Sequence, residues 1–160
     1  MIGFNKIVIV SLCDSWTKEL SNVLSQSLDM IFCDTKDLIE YELIDKNALA
    51  EISSKEYMDE AERKVVKHIA GFENVVVGIN YSYLSRHFDL LKNNSLVIYL
   101  SLSKAFVKAN ANPIDFVAYD RRNEELKNMA DIVITVKKTE YNFVCLKIID
   151  KLGEVYETCK

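Results

Sequence analysis

Five short runs of β-branched and aliphatic residues recur along the chain: Ile7–Val10, Ile31–Cys33, Val75–Val77, Leu96–Leu100 and Ile132–Ile134. Each is continuously apolar rather than alternating, which predicts strands covered on both faces, as in a parallel sheet. Between the runs the period changes to that of a helix. Leu20, Val23, Leu24 and Leu28 share one face. Comparable stripes run through Met58–Ile69, Tyr83–Leu91 and Tyr141–Leu152, and Gly153 is expected to supply a left-handed cap after the last. The alternation predicts one α/β domain over residues 1–160, with three layers and a five-stranded parallel sheet. Ile7–Val10 should lie at its centre, with right-handed crossovers placing helices on both faces. Ligands in such a sheet bind at the carboxyl ends of the strands, near the reversal of strand order. The segments to inspect are therefore Ser11–Lys18, Asp34–Asp37, Gly78–Ser82, Ser101–Lys104 and Ile114–Met129.

Composition narrows the chemistry. Twenty basic and 24 acidic residues give a net charge of −4, which argues against a nucleic-acid partner, since phosphate neutralisation needs clustered Lys and Arg. Only four glycines are present, so a glycine-rich phosphate cradle of the usual kind is excluded. No apolar run reaches the length of a membrane span, and the start of the chain lacks a basic leader with a cleavage site. No membrane partner and a cytoplasmic location are expected. Cys13, Cys33, Cys145 and Cys159 form no C-x-x-C pair, and His68 and His87 are the only histidines. Reduced thiols and no metal site are expected.

After the first strand, Ser11-Leu12-Cys13-Asp14-Ser15-Trp16-Thr17-Lys18-Glu19 stands where a nucleotide-binding α/β protein carries G-x-x-x-x-G-K-[ST]. Two further stretches are informative. Leu28-Asp29-Met30-Ile31-Phe32-Cys33-Asp34 is similar to L-[DN]-[MY]-x-F-x-D, and Arg122 through Ala130-Asp131 is similar to R-x-P-x-Y-x-x-x-A-D. Over most of its length the chain resembles the shikimate kinase family, of the nucleoside-monophosphate-kinase-like P-loop fold. The resemblance implies that fold. Where the family's residues survive, it also implies phosphoryl transfer from Mg-ATP to shikimate in aromatic amino-acid biosynthesis.

Set against the family, Ser11 and Trp16 stand at the first and last loop glycines, Thr17 at the lysine and Lys18 at the Ser/Thr. The lysine charge is missing there. One residue on a helix is a rotation of about 100°, so Lys18 should point elsewhere. A register that uses Lys18 puts Glu19 at the magnesium-ligating hydroxyl. Asp14 is a further obstacle, because a carboxylate about 4 Å from a phosphate charge costs on the order of 4 kcal/mol at an effective dielectric of 20. One reading makes Asp14 or Ser15 the N-cap of the following helix, with Trp16 filling the volume a nucleotide would vacate. The other keeps Lys18 as a cofactor-binding residue.

The acceptor side is altered too. Asp34 stands at the first acid of the family's D-x-D element, which serves magnesium, but Lys36 stands at the second. Ile79-Asn80-Tyr81 replaces a glycine triplet, and Asp59 replaces a substrate arginine. Glu62 and Arg122 match a helix acid and a substrate-binding arginine, whereas Asn112-Pro113 has lost the lid arginine in a shortened lid. Asp34, Glu62 and Arg122 are the candidate substrate-binding residues, with Arg122 the natural contact for a small anion. Each also has a ligand-free role: Asp34 as a cap for the helix from Thr35, Glu62 in an exposed ion pair, Arg122 on a solvated helix face. Tyr81 and Tyr83 are expected to be packing groups. The leading expectation is a pseudoenzyme with a degenerate phosphate loop and no cofactor, binding a small anionic ligand or a protein partner. The alternatives are a divergent shikimate kinase using Lys18 and Asp34 with Mg-ATP, and a kinase acting on another small hydroxylated substrate.

Overall fold

The valine- and isoleucine-rich run that opens the domain forms the central strand of a five-stranded parallel sheet ordered β2-β3-β1-β4-β5. A computed structural model describes residues 5–47, 55–111 and 113–158. The elements are β1 (Lys6–Val10), α1 (Asp14–Ser27), β2 (Ile31–Asp34), α2 (Thr35–Asn47), α3 (Lys55–Ala70), β3 (Val75–Ile79) and α4 (Tyr81–Leu91). They continue with β4 (Leu96–Ser101), α5 (Lys104–Asn110), α6 (Pro113–Val117), α7 (Tyr119–Met129), β5 (Ile132–Thr135) and α8 (Tyr141–Thr158).

From β1 the chain moves towards one edge to reach β2, and every later step between strands moves the opposite way. Right-handed crossovers therefore place α1 on one face and α2–α7 on the other, while α8 packs beside α1. β1, β3 and β4 are buried along their whole length, which is why their sequences carry no alternating polar positions. The expectation of burial on both faces fails at the sheet edges. Ile31 of β2 is 65% exposed and Val133 of β5 is 38% exposed, because each edge strand has one neighbour and shorter cover.

Other local expectations are also corrected. Gly153 lies inside α8 rather than capping it, and no described glycine has positive φ. The N-cap of α1 is Cys13, without a side-chain hydrogen bond, and Asp14 is the first helical residue. α4 does start on a capping side chain, since Asn80 Oδ1 accepts from the Tyr83 amide at 2.8 Å. Ser103 caps α5 in the same way. Cys13, Cys33 and Cys145 are free and buried, and burial pushes the Cys33 thiol up to about 12. The expectations for Met1–Phe4, Asn112 and Cys159 concern positions outside the described residues.

Candidate functional site

β1 hands the chain to α1 on one face, whereas β3 hands it to α4 on the other. The crevice between their carboxyl ends is the switch point of the sheet. A cavity of about 250 Å³ opens there, lined by residues of α1, by Asp34 and the first turns of α2, and by Gly78–Asn80. Gly78 lets α1 sit close to β3: an added Cβ would meet Ser21 Oγ at 3.2 Å and Asp34 Oδ1 at 3.5 Å.

The loop after β1 is bonded to itself. Ser11 and Thr17 share a hydrogen bond of 2.5 Å between hydroxyls, both buried. Ser11 Oγ accepts from the Cys13 amide at 3.1 Å, and Thr17 Oγ1 donates to the Cys13 carbonyl at 3.1 Å. A loop N–H that could meet an anion is thus taken by a side chain of the same loop. Trp16 is buried, donating from Nε1 to the Thr139 carbonyl at 3.1 Å, and its ring meets Phe106 of α5 and Tyr141 of α8. Lys18 reaches across to α2, where Nζ lies 2.8 Å from Asp37 Oδ2, and this bond raises its pKa.

The candidate residues separate into three environments. Asp34 lines the main cavity with Lys18 and caps α2 as its ligand-free reading expects, Oδ2 accepting from the Asp37 amide at 3.0 Å. Burial holds its carboxyl above the usual range, with the Asp37 amide opposing that shift. Arg122 lies in a neighbouring cleft of only about 30 Å³, with Ser11, Asp14 and Asn80. Its guanidinium stacks 4.6 Å from the centre of the Tyr81 ring, and Tyr81 donates its hydroxyl to Glu125. Tyr81 is thus a platform as well as a packing group, and the solvated-face reading of Arg122 is corrected. Glu62 lines neither cavity. Its side chain is only 12% exposed, and Oε1 accepts from Arg86 Nε at 2.8 Å and pairs with His87 Nε2 at 2.7 Å. The expected exposed ion pair is present with Arg86, whose side chain is half exposed, and Glu62 adds a buried contact to His87 that ties α3 to α4.

The Ser11–Thr17 bond, the Tyr81–Arg122 stack and the partners of Glu62 were beyond sequence reasoning. The strand-end rule and the resemblance both point to the segments holding Ser11, Thr17, Tyr81 and Arg122, but neither carries a signal of their pairing. Among the described residues no three His, Cys, Asp or Glu side chains group as metal ligands would.

Asp34 allows a direct test. Asp34→Asn keeps the cap and removes a half-buried charge, so it should leave stability unchanged or raised, whereas Asp34→Ala should cost about 1 kcal/mol. The raised pKa means that the folded chain holds more protons than the unfolded one just above pH 3.8. Asp34's contribution to stability should therefore fall as pH rises through that window, and Asp34→Asn should flatten the fall. Urea unfolding across the acid range measures both; a destabilised Asp34→Asn would contradict this account.

No protein-family model matches the sequence, and no curated protein matches it either. Solved structures do. Shikimate kinase from Acinetobacter baumannii, in complex with shikimate, superposes with a TM-score of 0.71 at 13% identity, covering 96% of this chain and 95% of that one. Shikimate kinase from Aquifex aeolicus gives 0.67 at 17% identity, covering 92% and 97%. A gluconokinase from Sinorhizobium meliloti gives 0.61 at 12% identity, covering 98% and 96%. With this strand order, an all-parallel sheet and a cleft between β1 and β3, the chain has the fold of the shikimate kinases and related P-loop kinases.

Proposed function

We propose that this domain is a non-catalytic, shikimate-kinase-like module that binds a small molecule or a protein partner at the switch-point cleft and does not transfer phosphate from ATP. The observation that carries this reading is the closed Ser11–Thr17 hydroxyl pair, standing where the fold would otherwise aim an ammonium group at phosphate. Phosphoryl transfer rests on positioned cations and loop N–H groups. Here the Cys13 amide is bonded to Ser11, the Lys18 charge is committed to Asp37, and Trp16 occupies the space between α1, α5 and α8. These residues do not fit Mg-ATP.

The cleft also favours some ligands over others. Asp14, Asp34, Asp37 and Glu40 outnumber Lys18 and Lys36 around it, so a hydroxylated neutral or cationic molecule suits it better than a polyanion. A small anion would have to reach Arg122, in a cleft with room for about two waters, by displacing the Tyr81 ring.

A thermal-shift series with Mg-ATP, ADP, shikimate and neutral polyols tests the reading, because a ligand at about 100 times its Kd stabilises the native state by about 2.7 kcal/mol. Millimolar Mg-ATP should leave the melting temperature unchanged, both for this chain and for Asp14→Ala, since Thr17 still supplies no charge. Saturable ATP binding in the micromolar range, or shikimate-dependent ADP release, would establish the divergent kinase instead.

A further inference from the structure

The far side of α8 carries a surface of different character from the acidic cleft. Phe143, Leu146 and Lys147 lie on one helical face at i, i+3 and i+4. Phe143 is 37% and Leu146 62% exposed. Beside them, the end of β5 and the following loop contribute Thr135, Lys137 and Lys138, which with Phe143 and Lys147 line a recess of about 180 Å³; Leu146 lies outside it on the same helix. Strand alternation puts the exposed Val133 on the same face of β5 as Thr135. The ammonium groups of Lys138 and Lys147 lie 5.3 and 5.6 Å from the centre of the Phe143 ring. Lys137, Lys138 and Lys147 take part in no ion pair among the described residues, although Glu140 precedes α8 and Asp150 follows Lys147 by one turn. By contrast Lys151, one turn further on, is paired with Glu154 at 3.2 Å.

We propose that this β5–α8 face docks an acidic segment of a partner protein, with an apolar side chain against Phe143 and Leu146 and carboxylates on Lys137, Lys138 and Lys147. Charge complementarity selects this occupant. The chain as a whole has a net charge of −4, so three lysines with no ion-pair partner among the described residues, set around an apolar centre, form a local reversal of the prevailing field. A long nucleic acid would meet that prevailing negative charge beyond the patch, and the patch has no basic track along which a backbone could run. A short acidic segment meets only the patch. Its apolar centre would cover ring and aliphatic surface, while carboxylates at the rim would set orientation and speed association. The inference is independent of what the cleft binds.

The test uses the full chain and three fluorescein-labelled probes: a short peptide alternating glutamate and leucine, its glutamine counterpart, and a short single-stranded oligodeoxynucleotide. Fluorescence polarisation should show saturable binding of the glutamate peptide, weakening as salt is raised, and at least tenfold weaker binding of the glutamine peptide. Lys138→Glu combined with Lys147→Glu should weaken the glutamate peptide by about tenfold or more, while Lys64→Glu combined with Lys67→Glu on α3 should not. Phe143→Ser, with circular dichroism and melting unchanged, should weaken both peptides. Failure of the glutamate peptide to bind, equal binding by the two lysine pairs, or preference for the oligonucleotide would each overturn the proposal.

Discussion

Trp16→Ala is expected to destabilise the domain by about 3–5 kcal/mol, the range for removing a large buried aromatic side chain. The indole is 5% exposed and ties three elements together. It belongs to α1, its ring centroid lies 6.4 Å from that of Phe106 in α5 and 6.2 Å from that of Tyr141 in α8, and Nε1 donates to the Thr139 carbonyl. Alanine removes the apolar contacts, both aromatic pairings and the donor, and leaves a void between helices fixed to the sheet. At roughly 2–4 °C per kcal/mol for a chain of this size, the melting temperature should fall by about 6–20 °C. Trp16→Phe keeps most of the ring packing and loses the N–H donor, so a cost nearer 1 kcal/mol is expected. Because Trp16 is the only tryptophan, unfolding has to be followed by circular dichroism. A Trp16→Ala variant within 1 kcal/mol of the parent would show that the indole does not hold these helices together.

Glu62→Ala should have the second largest effect, about 1.5–3 kcal/mol, the range for hydrogen bonds to a charged group. Its Oε1 serves Arg86 and His87 together, and His87 is 6% exposed. His87 Nδ1 already lacks a hydrogen-bond partner among the described residues, so losing Glu62 leaves a buried imidazole with neither nitrogen satisfied. The residue also sits at a departure from helical geometry in α4, with φ −124° and ψ 21°. Glu62→Gln retains an acceptor and should recover part of the loss. Chemical denaturation of the two variants separates this role from a ligand-binding one. A residue kept only for a substrate could be truncated without loss of stability, and an unchanged Glu62→Ala would favour that assignment.

Asp34 and Glu62 show why parts of the site could be read in advance and parts could not. The N-cap role of Asp34 is local: an acid one residue before a helix, within reach of an amide three residues on, is visible as spacing. Glu62 is the opposite case. Its partners lie on α4, 24 and 25 residues later, and nothing in either segment marks them as a pair. Arg122 sits in a charged run that looks solvated when only its neighbours in sequence are considered. The Tyr81 ring beneath its guanidinium comes from the start of α4. Lys18 was legible as a displaced charge, yet its bond to Asp37 depends on how α1 and α2 lie beside one another.

The sequence by itself determined the five strands, their parallel pairing and the central place of Ile7–Val10. Continuous β-branched runs can be satisfied only between two covering layers, and crossover handedness leaves few topologies. Composition also showed that four glycines are too few for a glycine-rich cradle of the usual kind, and composition needs no coordinates. Tertiary structure alone decided which runs became edges, since exposure of Ile31 and Val133 depends on having one strand neighbour or two. It decided that Gly153 continues a helix, where packing of α8 on α1 overrides a local stop signal. It also decided the partners of Thr17, Glu62 and Arg122, because a side chain's hydrogen bonds and stacking are set by what the fold brings within about 3–6 Å of it, whatever the separation in sequence.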